Sequence, residues 1–298
     1  MKINRVIGFL KCPYCSTEDL KEEANKIHCR GCLNAFDIIE GVPILMKKEN
    51  LGLQESKQLD WFDKHYSFFS KDTYNLENWR LSMLNRVLEN SFKEKVKTYL
   101  DIGCGATGYT VIESARRNKW LSFGMDISVE AGVRANYLAK KQGVEESTAF
   151  IVGSAETPPF KVGSLDYISA VSLLEHLEQD TKAIESFHKL LNSGGHLYIC
   201  VPNAYKRIWP FLWPVFWYFD RKIGHKRHYS IEALTMKMKQ ENIFELDNFF
   251  YNGHLIKFCQ IFFDKIRLID EKKWWKMEKK DINKIPSGVQ LNAIFRKR

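Results

Sequence analysis

The 298-residue sequence predicts an α/β fold built on a mostly parallel sheet, preceded by a small cysteine-bearing module. Three observations carry this. An apolar run at 96–102 passes directly into a turn holding Gly103, Gly105 and Gly108, and a helical stretch follows. Further apolar runs at 121–127, 150–160, 165–171 and 196–202 read as successive strands, the run at 150–160 with its turn. Ahead of them all lie four cysteines in two Cys-x-x-Cys pairs, Cys12 with Cys15 and Cys29 with Cys32.

The first strand and its turn, Tyr99-Leu-Asp-Ile-Gly-Cys-Gly-Ala-Thr-Gly-Tyr-Thr110, carry the most information. Glycines let the backbone turn tightly and approach a ligand, and the helix that follows offers free N–H groups at its N-terminus. Such units bind nucleotide-like cofactors, and the glycine spacing alone also fits a nicotinamide cofactor. Asp101 favours a different ligand. A carboxylate there accepts hydrogen bonds from an ammonium group and repels a pyrophosphate, and S-adenosylmethionine carries an α-amino group and no phosphate. The second strand ends in Asp126, about 20 residues past the glycines, where a carboxylate holds ribose hydroxyls for either cofactor.

The later segments add the turn Ser172-Leu-Leu-Glu-His-Leu177, a helix ended by Asn192-Ser-Gly-Gly195, and a fifth strand to Pro202. In that order, the chain from about 98 to 203 resembles the class I S-adenosylmethionine-dependent methyltransferases. The resemblance implies a Rossmann-like class I methyltransferase fold, with a mostly parallel seven-stranded sheet whose last strand is antiparallel. Its last hairpin would pair 243–251 with 288–297, where clean alternation supports a strand. It also implies a cofactor site. Asp101, Gly103 and Gly105 would line the methionine moiety, Asp126 and Ile127 the ribose, and Ser154 and Ala155 the adenine. Val171 and the turn after it would pass under the cofactor. Two positions depart from the family's pattern: Thr107 stands where a third glycine is common, with Gly108 one residue later, and Ser154 stands where many members have Asp.

Two Cys-x-x-Cys pairs 13 residues apart supply four thiolates able to converge on one zinc ion, with a short hairpin between them. Two redox pairs or a disulfide framework are the alternatives. The absence of a signal-like N-terminus and the three further cysteines argue against the framework. Cys12, Cys15, Cys29 and Cys32 are therefore the predicted ligands of a structural Zn2+, and the neighbouring His28 a surface residue. The ribbon resembles the small zinc-ribbon proteins that activate tRNA, rRNA and protein methyltransferases. It is similar, too, to the zinc module that opens certain rRNA guanine methyltransferases. It would then bind substrate or a partner, or simply cap the larger domain with a metal in place of a core.

The domain reading is a zinc ribbon over 1–48, a linker and helical cover over 49–95, and a methyltransferase domain over 96–298 with insertions at about 203–229 and 253–285. Helices are expected at 58–69 and 76–96, the second with Leu81, Leu84, Val87 and Leu88 on one stripe. The aromatics of the first, Trp61, Phe62, Tyr66, Phe68 and Phe69, are read as packing onto the core rather than roofing a site. The first insertion holds Ile208-Trp-Pro-Phe-Leu-Trp-Pro-Val-Phe-Trp-Tyr-Phe219, too short and proline-broken to span a bilayer. It suits a lid over an apolar substrate, a surface dipping into a membrane interface, or a small satellite core. Next comes Gly224-His-Lys-Arg-His-Tyr-Ser230, which resembles an element near the acceptor site of small-molecule, lipid and glycan methyltransferases. That resemblance makes His225, Arg227, His228 and Tyr229 candidate substrate contacts, Arg227 suiting a carboxylate or phosphate, with Ser230 as the cap of a helix over 230–241. His176 is the candidate catalytic base for an acceptor hydroxyl, against a plain packing role.

The net charge of +9 is concentrated. The stretch 203–230 has six basic residues against one acidic, and 257–298 has twelve against five, leaving the rest slightly acidic. Trp274-Trp-Lys-Met-Glu-Lys-Lys280 suits an anionic membrane surface or phosphates. With no apolar run of about 20 residues, the sequence predicts a cytoplasmic protein with peripheral membrane contact through the aromatic and basic insertions. The predicted function is methyl transfer from S-adenosyl-L-methionine to an oxygen or nitrogen of a small-molecule, lipid-linked or glycan acceptor. RNA is the alternative acceptor, from the ribbon and the basic balance, and a non-catalytic cofactor-binding partner protein is the third reading.

Overall fold

Seven strands form the central sheet of the computed structural model, which describes residues 1–66, 74, 78–239, 244–254, 276–277, 280–285 and 287–298. In chain order the elements ahead of this sheet are α1 (Ile3–Ile7), β1 (Leu20–Glu23), β2 (Lys26–Cys29), β3 (Ala35–Ile39), β4 (Val42–Pro43), α2 (Leu53–Tyr66) and α3 (Asn78–Leu88). The α/β domain follows with β5 (Thr98–Ile102), α4 (Tyr109–Glu113), β6 (Leu121–Asp126), α5 (Val129–Lys141), β7 (Thr148–Val152) and β8 (Leu165–Val171). It continues through α6 (Asp180–Leu190), β9 (Leu191–Pro202), α7 (Trp213–Ile223), α8 (Ile231–Lys239), β10 (Phe244–Asn252) and β11 (Gln290–Lys297).

The sheet order is β10-β11-β9-β8-β5-β6-β7. Strands β5 to β9 are parallel neighbours, and β11 runs antiparallel between β9 and β10. This is the predicted Rossmann-like sheet with its antiparallel last strand. The chain winds outward from β5 through β6 to β7, then returns to place β8 on the other side of β5. The carboxyl ends of β5 and β8 therefore splay apart, and such a switch point leaves a crevice for a ligand. Burial explains why the strands form: β5 and β7 are apolar runs buried on both faces, as parallel strands covered by helices must be. The stripe on α3 is buried at Leu84, Val87 and Leu88. The ends of several expected segments shift: the helix expected over 58–69 begins at Leu53, and the fifth strand begins at Leu191, directly after the helix. Phe68, Phe69, Trp274, Trp275, Glu241 and Ile243 lie outside the described residues.

The N-terminal ribbon is a four-stranded antiparallel sheet, β1-β2-β3-β4. Its attachment is continuous with the main domain. Ile44 bridges Val152 in parallel and the Leu45 N–H donates to the Val152 carbonyl at 2.8 Å, so the chain leaving β4 extends the edge at β7. Lys11 N–H donates to Pro159 and Lys161 N–H to Phe9, at 3.0 and 2.9 Å. Val6, Leu10, Phe36 and Ile38 share one apolar core with Phe123 and Phe160 of the large domain, and the Phe9 and Phe123 rings lie 4.9 Å apart.

A shared core makes one cooperative unit. Leu10→Ala, at a fully buried position facing Phe160, is expected to cost about 2–5 kcal/mol and to shift a single unfolding transition of the whole chain. Urea unfolding followed by both far-ultraviolet dichroism and tryptophan fluorescence checks this; two separate transitions would contradict it.

Candidate functional site

The turn after β5 is held from three sides. Gly105 N–H donates to the Asp126 carboxylate at 2.9 Å, which ties the turn to the end of β6. Buried Arg134 of α5 donates to the Ala106 carbonyl at 2.7 Å. Gly108, displaced by one residue from the usual spacing, caps α4 in the left-handed region at φ 52°. A Cβ there would stand 2.7 Å from the Phe150 ring, so glycine is required both by backbone conformation and by close packing. Thr107 is buried and does not line the crevice.

The crevice is a cavity of about 230 Å³ at the switch point. Gly103 forms its wall after β5, Asp126 and Ile127 after β6, Gly153 and Ala155 after β7, and Ser172, Leu173 and His176 after β8. Helix α2 closes it from above with Glu55, Gln58, Phe62 and Tyr66, which recur on one helix face. The Tyr66 hydroxyl stands 3.3 Å from where a Cβ on Gly105 would lie. These aromatics were expected to pack into the core; Phe62 and Tyr66 instead roof the cavity, because α2 lies across the strand ends rather than against a sheet face.

Other predicted residues sit differently. Asp101 is wholly buried beneath the turn, accepting from Ser169 Oγ at 2.5 Å and from Thr110, and is not part of the cavity wall. Ser154 donates to Glu55 of α2, leaving Gly153 and Ala155 as the lining pair. Val171 packs away from the cavity, beside the cluster of Tyr99, Tyr167 and Tyr198, and the turn after it does the lining. Arg227 pairs with Asp180 at 2.9 Å, and the Tyr229 hydroxyl donates to the same carboxylate at 2.8 Å. Lys237 adds a third contact to Asp180 at 3.0 Å. Both candidate substrate residues are therefore struts that fasten the insertion and α8 to the start of α6. Ser230 caps α8 through a hydrogen bond from Ala233 N–H.

His225 and His228 remain near the site. Asp220 accepts from both, at 2.7 Å from His225 Nδ1 and 2.8 Å from His228 Nε2, and also from Tyr205. Burial pulls the Asp220 carboxyl up, but hydrogen bonds from Tyr205 and His228 hold it below the usual range. The His225 ring lies 4.8 Å from that of His176. Burial, with the nearby His225, pushes His176 down to about 3, so it is a neutral imidazole at physiological pH. Next to it Glu175 is buried, and desolvation together with the Asp220 charge pushes its carboxyl up to about 8. Glu175, Asp220, Glu55 and Gln58 were not singled out from sequence. Glu175 stood inside a quoted segment and Asp220 just outside one, but only the fold brings them together.

At the other end of the ribbon, the Cys12, Cys15, Cys29 and Cys32 sulfurs all lie within 4.8 Å of one another. The closest approaches are 3.4 Å for Cys15 to Cys29, 3.5 Å for Cys29 to Cys32 and 3.6 Å for Cys12 to Cys32. Four thiolates on a tetrahedral zinc ion stand about 3.8 Å apart, from Zn–S bonds of about 2.3 Å, so the donor set fits. Cys32 N–H points at the Cys29 sulfur and the Asn34 amide at the Cys32 sulfur, contacts that favour thiolates. His28 is outside this group.

Residues 100–199 match the family described as "Methyltransferase domain", and the fold is that of Rossmann-like methyltransferases. The norajmaline N-methyltransferase of Rauvolfia serpentina is 33% identical over 106 residues, 36% of each chain. The ubiquinone biosynthesis O-methyltransferase of Pectobacterium carotovorum is 26% identical over 160 residues, covering 50% of this chain and 59% of the relative. The match thus spans between about a third and three fifths of these relatives' lengths. Among solved structures, the [4+2]-cyclase SpnF superposes with a TM-score of 0.58 at 16% identity, over 83% of this chain and 97% of SpnF. The fold is shared with a cyclase, so the fold alone does not name the reaction. No helix among the described residues is long and apolar enough to cross a membrane.

Burial raises the Asp101 carboxyl from 3.8 to about 6, against the hydrogen bonds from Ser169 and Thr110. The folded state therefore holds this proton more tightly than the unfolded chain, and the resulting stability is complete below about pH 4 and lost as pH rises through about 6. Asp101→Asn is expected to raise the stability of the ligand-free protein relative to the parent on going from about pH 4 to about pH 7.5, by at most a few kcal/mol. Urea titrations at the two pH values measure this; a difference that does not change with pH would contradict it.

Proposed function

We propose that this protein is an S-adenosyl-L-methionine-dependent methyltransferase acting on an oxygen or nitrogen of a small-molecule, lipid-linked or glycan acceptor. The observation that carries the reading is the cavity at the switch point, with the glycine turn on one side and the Asp126 carboxylate at the end of β6. When bound, the cofactor supplies an electrophilic methyl on a cationic sulfur. The chain's own residues do the rest. Asp126 would accept the ribose hydroxyls, and the buried charge of Asp101 beneath the turn favours a cationic ligand over an anionic one. Ala155 and Ile127 offer an apolar slot for a flat ring. Tyr66, Phe62 and the rest of the α2 face exclude water from the methyl.

The acceptor would enter between His176 and the insertion carrying His225. Neutral His176 can accept a hydrogen bond from the acceptor but is a weak base, so alignment is its principal contribution. The lipid or glycan leaning rests on the insertion. Its hydrophobic residues Phe211, Trp213, Trp217 and Tyr218 are exposed, and Arg221 lies over the Trp217 ring at 4.1 Å. Such a surface suits an apolar or sugar-bearing substrate, or an anionic membrane interface, better than a compact polar metabolite. The same reading gives the four cysteines a structural zinc ion with no open coordination position, and hence no catalytic part.

Three measurements test this. Calorimetric titration with S-adenosylmethionine should give one site per chain, weakened roughly 10- to 100-fold by Asp126→Asn, as expected when a charged hydrogen-bond acceptor is lost. No heat of binding would sink the proposal; where binding is seen, radiolabelled-methyl transfer to lipid, glycan or RNA fractions identifies the acceptor class. Separately, Cys12→Ser with Cys29→Ser should release about one zinc per chain and lower the melting temperature; a folded wild-type protein free of zinc would refute the ribbon assignment.

A further inference from the structure

Beside the cavity, the turn after β8 and the insertion after β9 bring together five titratable side chains, Glu175, His176, Asp220, His225 and His228. Two of them need nothing further. Asp220 is hydrogen-bonded by both insertion histidines and by Tyr205. The other nitrogen of His228, Nδ1, lies 2.7 Å from the Asn203 carbonyl. With Nδ1 of His225 committed to Asp220, that ring has Nε2 left to offer.

The other three are unfinished. Glu175 is 1% exposed, yet among the described residues neither of its carboxyl oxygens has a hydrogen-bond partner, and the Nδ1 of His176 is likewise unpartnered. A buried carboxyl group with no hydrogen-bond partner carries an uncompensated desolvation cost, and among the described residues no protein group offsets it. The donor atoms of Glu175, His176 and His225 lie within 4.8 Å of one another. Donors roughly 2.0–2.2 Å from a tetrahedral ion stand about 3.4 Å apart, a difference that small side-chain rotations can close.

We infer that Glu175, His176 and His225 form a second metal site, a two-histidine, one-carboxylate set for a divalent first-row transition ion, distinct from the four cysteines of the ribbon. Imidazole nitrogens favour such an ion over calcium or magnesium, and three protein ligands leave coordination positions open. Asp220 is the positioning residue: its bond to His225 Nδ1 fixes the tautomer whose Nε2 lone pair is available to an ion, the carboxylate–histidine–metal arrangement. His228, Tyr205 and Asn203 fix Asp220 in turn.

The site's use rests on the methyltransferase reading above. His176 lines the cavity, so an open position on the ion faces the place where acceptor and methyl meet. There the ion acidifies an acceptor hydroxyl, whose proton goes to solvent. The oxygen forms its bond to the methyl carbon while the sulfur–carbon bond breaks with its electron pair left on sulfur. This answers how an oxygen acceptor is deprotonated beside a histidine that is a poor base.

The test reads the metal rather than methylation, so it can fail without touching the cofactor claim. The full chain, its cysteines first loaded with zinc, is titrated with Co2+ and followed by visible absorption. One further equivalent should bind with d–d bands and no thiolate charge-transfer band. Glu175→Gln and His225→Gln should each weaken it at least tenfold, and Asp220→Asn about 10- to 100-fold. Zinc content and the dichroism spectrum verify that each variant is folded, and the wild-type stoichiometry needs no variant at all. Absence of the second equivalent, a thiolate band accompanying it, or undiminished binding in both Glu175→Gln and His225→Gln would overturn the proposal.

Discussion

The hydrogen bond from Gly105 N–H to the Asp126 carboxylate is the constraint from which the rest of the site follows. It joins the turn after β5 to the end of β6, so the two walls of the switch-point cavity cannot move apart independently. Arg134 braces the same turn from α5, and Gly108 lets it dip onto Phe150 before α4 begins. Burial raises the carboxyl of Asp126 as it does that of Asp101, so one desolvated acid stands in the cavity wall and another lies beneath the glycine turn. The charge of Asp101, directly beneath the turn, favours a cationic ligand over a pyrophosphate.

A second constraint is shared burial between modules. The ribbon's apolar residues complete the same core as Phe123 and Phe160, and its last strand leads the chain along the edge of β7. From there the chain enters α2, whose polar end contacts Ser154 and whose aromatic end covers the glycine turn. Anything that loosens the ribbon is thus connected, through one short stretch of chain, to the roof of the cavity. Asp180 plays the matching part at the insertion after β9 by fixing Arg227, Tyr229 and Lys237.

Much of this was legible in the sequence because the signals are local. A glycine turn after an apolar run, an acid at the next strand end, and paired cysteines each declare themselves within a few residues, and β8 has the expected bounds. The alternation that predicted β11 reflects its face-by-face packing between β9 and β10. What was not legible depends on partners distant in sequence. An aromatic stripe on a helix looks the same whether it packs on a sheet or roofs a cavity, which is why Phe62 and Tyr66 were misplaced. The Gly-His-Lys-Arg-His-Tyr element marked the right neighbourhood, but only the fold reveals that Arg227 and Tyr229 serve Asp180, while His225 turns toward His176. Glu175 carries no sequence signal of its own; its meaning lies in its burial without a side-chain hydrogen-bond partner among the described residues.

The most direct test of the central claim is a crystal structure of the protein grown with S-adenosylhomocysteine. The account requires the ligand in the cavity between the glycine turn and α2, with its ribose hydroxyls on Asp126 and its adenine beside Ala155. Density for the ligand elsewhere, or a cavity left without it at saturating concentration, would contradict the account.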